Sequence, residues 1–313
     1  MISKYELKDL MLNTEFYGSI IICSIGFVTN LLNFHVCLRK NIRTTIAGFL
    51  NVFMSVLNIL ASIVFFLTFF PQSIGKDLIS TYLYACILLP YSYRALLQIN
   101  QWVNVIVSFD RTNMISYTVR APQVVNKRKY SLIVLGLTVV ILGVNSFNLF
   151  YSLQIEHTHN NQTSAIITCS TSSFFDWIRD IVTFIFLNVL PLAFQLAINV
   201  KLVLKILNLR NVVTTLSLRK EYRFAFVVSV YTLMLILIDC MYIFGVIIEN
   251  LYDQNSRGFI EDLNDLDQIW LGRLAYSFSI LLFWFLMCDL LFFINLFTNK
   301  KFRNEFRKIY LQN

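Results

Sequence analysis

The chain has 313 residues, 57% of them hydrophobic and only 14% charged. Soluble domains carry about 25% charged residues, so the deficit points to lipid as the solvent. The formal charge of +8 does not make a nucleic-acid surface, because the basic residues are divided among short segments between apolar runs.

A mainly apolar stretch of about 18 or more residues predicts a spanning helix, since only a helix satisfies its own backbone polar groups in hydrocarbon. Residues 1–15 are mixed polar and acidic and carry no cleavable signal pattern. They predict a short extracellular N-terminus ahead of the first span, Phe16 to Leu38, which serves as its own signal anchor. The second span is Thr44 to Gly75, and the third, Leu78 to Phe109, is interrupted by Arg94. The fourth is Tyr130 to Ile155 and the fifth Ile181 to Val200, both free of charge. The sixth, Phe224 to Ile248, carries Asp239, and the seventh, Leu274 to Asn299, carries Asp289. The expected fold is therefore an all-α membrane protein, a bundle of seven transmembrane helices over residues 16–298. Beyond it, at 299–313, Phe302, Phe306, Ile309 and Tyr310 share one helical face beside Arg303, Arg307 and Lys308. That pattern predicts a short amphipathic eighth helix lying on anionic membrane lipid.

Orientation follows from Lys and Arg, which concentrate on the cytoplasmic side. With the N-terminus outside, 19 of the 26 basic residues fall in the inner segments, against Asp110, Glu221 and Glu305. The outer segments hold six basic residues and 13 acidic ones. The acids are densest in the third outer loop, Glu249 to Gln268, as a rim for cationic ligands or as a plain solvated loop. The outer side also receives the sequon Asn161-Gln162-Thr163, a glycosylation site. Cys86 and Cys169 both fall on this oxidising side, where the alternatives are a bridge, which is favoured, and two free thiols.

Ionisable and polar groups inside spans are costly and face the bundle interior. Arg94, with Gln98 one turn deeper and Tyr91 or Tyr93 nearby, is a candidate ligand contact; the alternatives are a structural ion pair or snorkelling. Asn30, Asn58, Asn104, Asp239 and Asp289 form either a hydrated core network or simple helix-to-helix hydrogen bonds. His35, His157 and His159 are too scattered for a metal, and no phosphate-binding glycine loop or nucleophile–base pair is present. No cofactor and no enzymatic activity are expected.

The pattern resembles the rhodopsin-like G-protein-coupled receptors over most of the chain. Asp110-Arg111-Thr112 ends the third span where that family has Asp/Glu-Arg-Tyr, and Cys86, 25 residues earlier, stands at the family's bridge cysteine. Asn30 and Asn58 have the family's separation of 28 residues, Pro191 matches the proline of the fifth span, and Phe302-Arg303 opens the eighth helix. Departures are Asn58 for the customary Asp, Thr112 for Tyr, no Trp in the fourth span, and Cys240-Met241-Tyr242-Ile243 in place of Cys-Trp-x-Pro. The seventh span lacks Asn-Pro-x-x-Tyr; its positions fall either on Leu291, Phe292 and Asn295 or on Asp289, Leu290 and Phe293. The resemblance implies a divergent invertebrate-type receptor for a peptide or a chemosensory ligand, at the plasma membrane, coupled to a heterotrimeric G protein. It implies that Asp110 restrains Arg111 at rest and that the sixth helix swings out on activation. Tyr93 stands where amine receptors of the family carry Asp, which disfavours an amine. The competing expectations are a seven-span channel or transporter, and a receptor-like protein that does not signal.

Overall fold

The computed structural model describes residues 4–76, 78–117, 127–157, 165–170, 178, 181–182, 184–210, 233, 277–278, 281–282, 284–285 and 290–311. The sixth span apart from Leu233, the third outer loop, Asn161, Asp239, Asp289 and the side chain of Arg111 lie outside the described residues.

Helix α1 spans Lys4–Cys37, α2 Lys40–Arg43, α3 Ile46–Ser73, α4 Leu78–Thr81, α5 Leu83–Tyr117 and α6 Lys127–Val144. A 3-10 turn, Asn145–Phe150, extends α6 and leads into strand β1 (Ser152–His157), which pairs antiparallel with β2 (Ala165–Ser170). A π-helical segment, Phe184–Val189, precedes α7 (Leu190–Arg210); α8 (Leu290–Thr298) and α9 (Lys300–Tyr310) close the chain. Among the described residues four helical stretches are long and apolar enough to cross a membrane: Leu12–Cys37, Gly48–Ser73, Lys127–Phe150 and Phe184–Leu202. α5, with 35 residues, is about 52 Å long at 1.5 Å per residue, longer than the hydrocarbon core. The chain is an all-α membrane protein with a small β-hairpin attached.

The distribution of polarity agrees with lipid as the solvent. Large apolar side chains such as Leu132, Leu135, Val139 and Phe297 are well exposed, whereas Asn30, Asn33, Asn58, Gln98 and Asn100 are buried. Burying amides and exposing leucines is the reverse of the aqueous arrangement and is stable only where hydrocarbon surrounds the bundle. The spans that point polar residues inward read as heptad stripes. On α1 the buried stripe is Ser19, Cys23, Gly26, Asn30, Asn33 and Cys37; on α3 it includes Asn51, Ser55, Asn58, Ser62 and Phe65. Hydroxyls that have no cross-helix partner bond back into their own helix, as Ser62 Oγ does to the Asn58 carbonyl at 2.8 Å.

Element ends have local causes. Thr45 caps α3 by accepting the Gly48 N–H at 3.0 Å, and the chain leaves α3 through Gly75 at φ +74°, a conformation glycine adopts without strain. Pro191 lacks an N–H, and a π-helical segment immediately precedes the turn that contains it. The uncharged stretch expected to carry the fourth span to Ile155 instead leaves the helix at Val144. Asn145 and Asn148 bond back to the carbonyls of Ile141 and Asn145, tightening the chain into the 3-10 turn. Beyond it the chain pairs as β1, whose residues 152–155 are uncharged and whose last two are Glu156 and His157. At the other terminus α1 begins at Lys4, so the polar residues expected as a separate N-terminal segment continue the first helix.

Candidate functional site

The polar and aromatic groups of the interior fall into four layers along the bundle. The first lies at the disulfide end. Cys86, near the start of α5, is bonded to Cys169 of β2 with Cα atoms 5.7 Å apart, so the expected bridge is formed. It pins the hairpin to the end of α5. Beneath it, Trp284 is buried with its ring 4.6 Å from Phe65 and 5.6 Å from Tyr93. Its indole N–H donates to the Tyr93 hydroxyl at 3.4 Å. This aromatic floor joins α3, α5 and the segment ahead of α8.

The four expected ligand contacts divide between two faces of α5. Tyr93 faces the aromatic floor. Tyr91, Arg94 and Gln98 recur at three- and four-residue spacing and face α6 and its 3-10 extension. The Tyr91 hydroxyl donates to the Leu142 carbonyl at 3.3 Å, Arg94 donates to Asn148 Oδ1, and Gln98 Oε1 accepts from Asn145 Nδ2 at 2.7 Å. Arg94 thus spends a donor on an amide of the adjoining helix, a charge–dipole contact that fastens the 3-10 turn to α5.

The second layer is an amide relay. Asn100 Nδ2 donates to Asn58 Oδ1 at 2.7 Å, Asn58 Nδ2 donates to Asn30 Oδ1 at 3.0 Å, and Asn30 Nδ2 donates to the Gly26 carbonyl at 2.7 Å. One unbroken line of hydrogen bonds therefore crosses α5, α3 and α1. Asn30 and Asn58 are brought together as expected. Asn104 is buried one turn further along α5, and Asn100 occupies the place at the relay. The third layer sits closer to α9. Asn33 Nδ2 donates to Ser55 Oγ at 2.7 Å, Asn295 Nδ2 donates to Asn33 Oδ1 at 3.2 Å, and Asn51 Nδ2 reaches Asn295 Oδ1 at 3.5 Å. This layer ties α8 to α1 and α3, with Asn295 as its contribution from α8. On α7, Gln195 and Asn199 are buried, and among the described residues neither amide has a hydrogen-bond partner.

Sequence reasoning on single residues missed Asn33, Asn51, Asn100, Asn145, Asn148 and Trp284, and met Asn295 only as a candidate motif position. The available signal was the stripe: Asn51, Ser55, Asn58 and Ser62 mark one face of an otherwise apolar helix.

The fourth layer is the far end of α5. Asp110 and Thr112 are buried there, and Thr112 Oγ1 donates to the Ser108 carbonyl at 3.0 Å. Close by, α9 docks through Phe302, which is fully buried against Val36, Cys37, Ile42 and Phe292. Asn299 caps α9 by accepting from the N–H groups of Lys301 and Phe302 at 3.1 and 3.2 Å. Arg303 donates to the Leu296 and Phe297 carbonyls, sealing the open end of α8. Tyr310 meets His35 of α1 over a hydrogen bond of 2.7 Å. Glu305 accepts from Asn41 at 3.1 Å and pairs with Lys308 at 3.3 Å. The Asn41 amide, helped by Lys308 and Arg39, holds the Glu305 carboxyl below the usual glutamate range.

Among the described residues, no three His, Cys, Asp or Glu side chains converge to hold a metal ion. No protein-family model matches the chain, and no curated protein is detectably similar to it.

Proposed function

We propose that the chain is a seven-span receptor of the rhodopsin-like G-protein-coupled kind, with its N-terminus outside the plasma membrane. The observation that carries the reading is the arrangement of the two ends of α5. The Cys86–Cys169 bridge stands at one end, and Asp110-Arg111-Thr112 stands 25 residues later near the other. At about 1.5 Å per residue these points are some 37 Å apart, a little more than the ~30 Å hydrocarbon core. One helix thus links a disulfide-braced outer mouth to a charged inner end. The positive-inside distribution of Lys and Arg supports the same orientation.

In this reading the ligand enters beneath the hairpin and meets Tyr93 and Trp284, the aromatic floor. Tyr91, Arg94 and Gln98 brace the wall formed by α5 and α6. A peptide is the favoured ligand, because the acidic third outer loop suits cationic residues and Tyr93 offers no carboxylate to an amine. A small chemosensory ligand is the second choice. Binding favours a state in which the inner ends of the helices separate and Arg111 turns toward a heterotrimeric G protein.

The test is a G-protein dissociation assay in cells, run across peptide and odorant libraries, with Arg111→Ala as the control. A ligand response abolished by Arg111→Ala is expected. A ligand-gated current that survives Arg111→Ala would instead establish a channel.

A further inference from the structure

The docking of α9 creates a second site. Phe302, Phe306 and Ile309 lie on α1, α2 and α8. With that seam fixed, the adjacent flank of α9 carries Lys301, Asn304, Glu305 and Lys308 toward α2. The opposite wall is Lys40, Asn41 and Thr44. Between the walls is a cleft of about 520 Å³ lined by these seven side chains.

Its charge is unbalanced. Three ammonium groups meet one carboxylate, and that carboxylate is already engaged by Asn41 and Lys308. Among the described residues Lys40 and Lys301 have no ion-pair partner. Arg39 flanks the same cleft, and Lys127 is drawn to its α2 side by donating to the Arg43 carbonyl at 3.2 Å. All three ammonium groups are exposed at the cleft, where one multivalent anion can pair with more than one of them. The neutral lining, two carboxamides and the Thr44 hydroxyl, supplies donors and acceptors for a polyol ring between phosphates. The rim favours a lipid over a soluble phosphate. Leu38, two residues before Lys40, and Leu311, three after Lys308, leave apolar surface exposed, along which an acyl chain can run into the bilayer.

We infer that the cleft between α2 and α9 binds the headgroup of a polyphosphorylated inositol lipid, with Lys40, Lys301 and Lys308 on its phosphates and Asn304 and Thr44 on its ring hydroxyls. The bound lipid bridges α9 to the α2 turn and adds to the Asn41–Glu305 and His35–Tyr310 ties. It requires the α9 end to face the inner leaflet, where such lipids reside, but not that the protein couple to a G protein.

The experiment uses the purified full chain in nanodiscs. Binding is compared for phosphatidylinositol bisphosphate, for phosphatidylserine at matched total charge, and for soluble inositol trisphosphate. The bisphosphate lipid is expected to bind best. Lys40→Gln with Lys301→Gln is expected to weaken it about 30-fold, the product of two surface lysines. Lys129→Gln with Lys201→Gln removes the same charge elsewhere and is expected to change it less than about twofold. Equal binding of phosphatidylserine, or equal loss from the control pair, shows generic adsorption and overturns the proposal. Equally tight binding of the soluble headgroup overturns the lipid assignment. Should the double variant fail to fold, the three-ligand comparison on the unaltered chain decides.

Discussion

Asn58→Leu tests whether the amide relay holds the bundle together. Asn58 is fully buried; it accepts from Asn100 at 2.7 Å and donates to Asn30 at 3.0 Å. Leucine keeps the branched outline but is larger, so some overpacking adds to the loss of two interhelical hydrogen bonds, and the double-variant cycle isolates the bonding contribution. Such bonds in membrane proteins average about 0.6 kcal/mol and reach about 1.7 kcal/mol. Two of them give about 1.2 kcal/mol at the average and about 3.4 kcal/mol at the limit. The Asn100 amide also loses its acceptor, while its own Oδ1 already lacks a partner, which places the expected loss in the upper half of that range. The measurement is the unfolding free energy in detergent for wild type, Asn58→Leu, Asn100→Leu and the double variant. A coupling of about 0.6–1.7 kcal/mol between the two sites is expected. If Asn58→Leu is as stable as wild type, or the two changes simply add, the relay contributes no specific interaction and the reasoning fails.

Replacing Cys86 and Cys169 by Ser opens a loop spanning 83 residues and is expected to cost about 2–4 kcal/mol; thermal unfolding with and without reductant checks it, and an unchanged midpoint would refute it. Phe302→Ala empties the socket of a side chain with no exposed surface and is expected to cost about 3–5 kcal/mol, seen as faster hydrogen exchange throughout α9 with α1 unaffected. Thr45→Ala removes the cap on Gly48 and should cost about 1 kcal/mol, with Thr45→Ser restoring most of it. Because Glu305 has its pKa lowered from 4.5 in the folded chain, mainly by the Asn41 amide, its contribution is complete above the ordinary value and is lost as pH falls through the lower folded one. Exchange in α9 should therefore accelerate only in that acid window, and Glu305→Gln should abolish the dependence.

What could be read from the sequence was what depends on composition along one helix. Thr44 to Gly75 was expected as a span and α3 occupies Ile46–Ser73, because an uninterrupted apolar run has no other stable form in lipid. The Cys86–Cys169 pairing was legible because topology puts both residues on one side. Two kinds of information were not. Absence of charge does not distinguish a helix from a strand, so residues 152–155, the uncharged part of β1, fell inside the expected fourth span. Rotation about a helix axis was also hidden. Arg94 and Tyr93 are adjacent in sequence yet face different neighbours, since successive residues point about 100° apart on a helix. Asn100, one turn before Asn104 and on nearly the same face, makes the bond to Asn58, and no feature of the sequence singled it out.

Neutral amides join α1, α3, α5 and α8 across the described interior, and under the proposed receptor reading this bears on how such a bundle would switch. Separating a buried ion pair leaves an uncompensated charge and costs several kcal/mol. An amide can release one partner and take another, because it both donates and accepts. Unspent capacity is present within reach of the relay helix: α7 is packed on α5, and its Gln195 and Asn199 amides are buried without partners among the described residues. A shift of α7 that let these groups bond would be opposed only by the few bonds it broke, each about 0.6 kcal/mol. The two arrangements would then differ by a few kcal/mol. Under the proposed receptor reading, inverting a 1:99 population would take about 5.5 kcal/mol of differential ligand affinity. Asn33, Asn51 and Asn295 tie α8 to α1 and α3, so these are the bonds through which such a shift would reach α8.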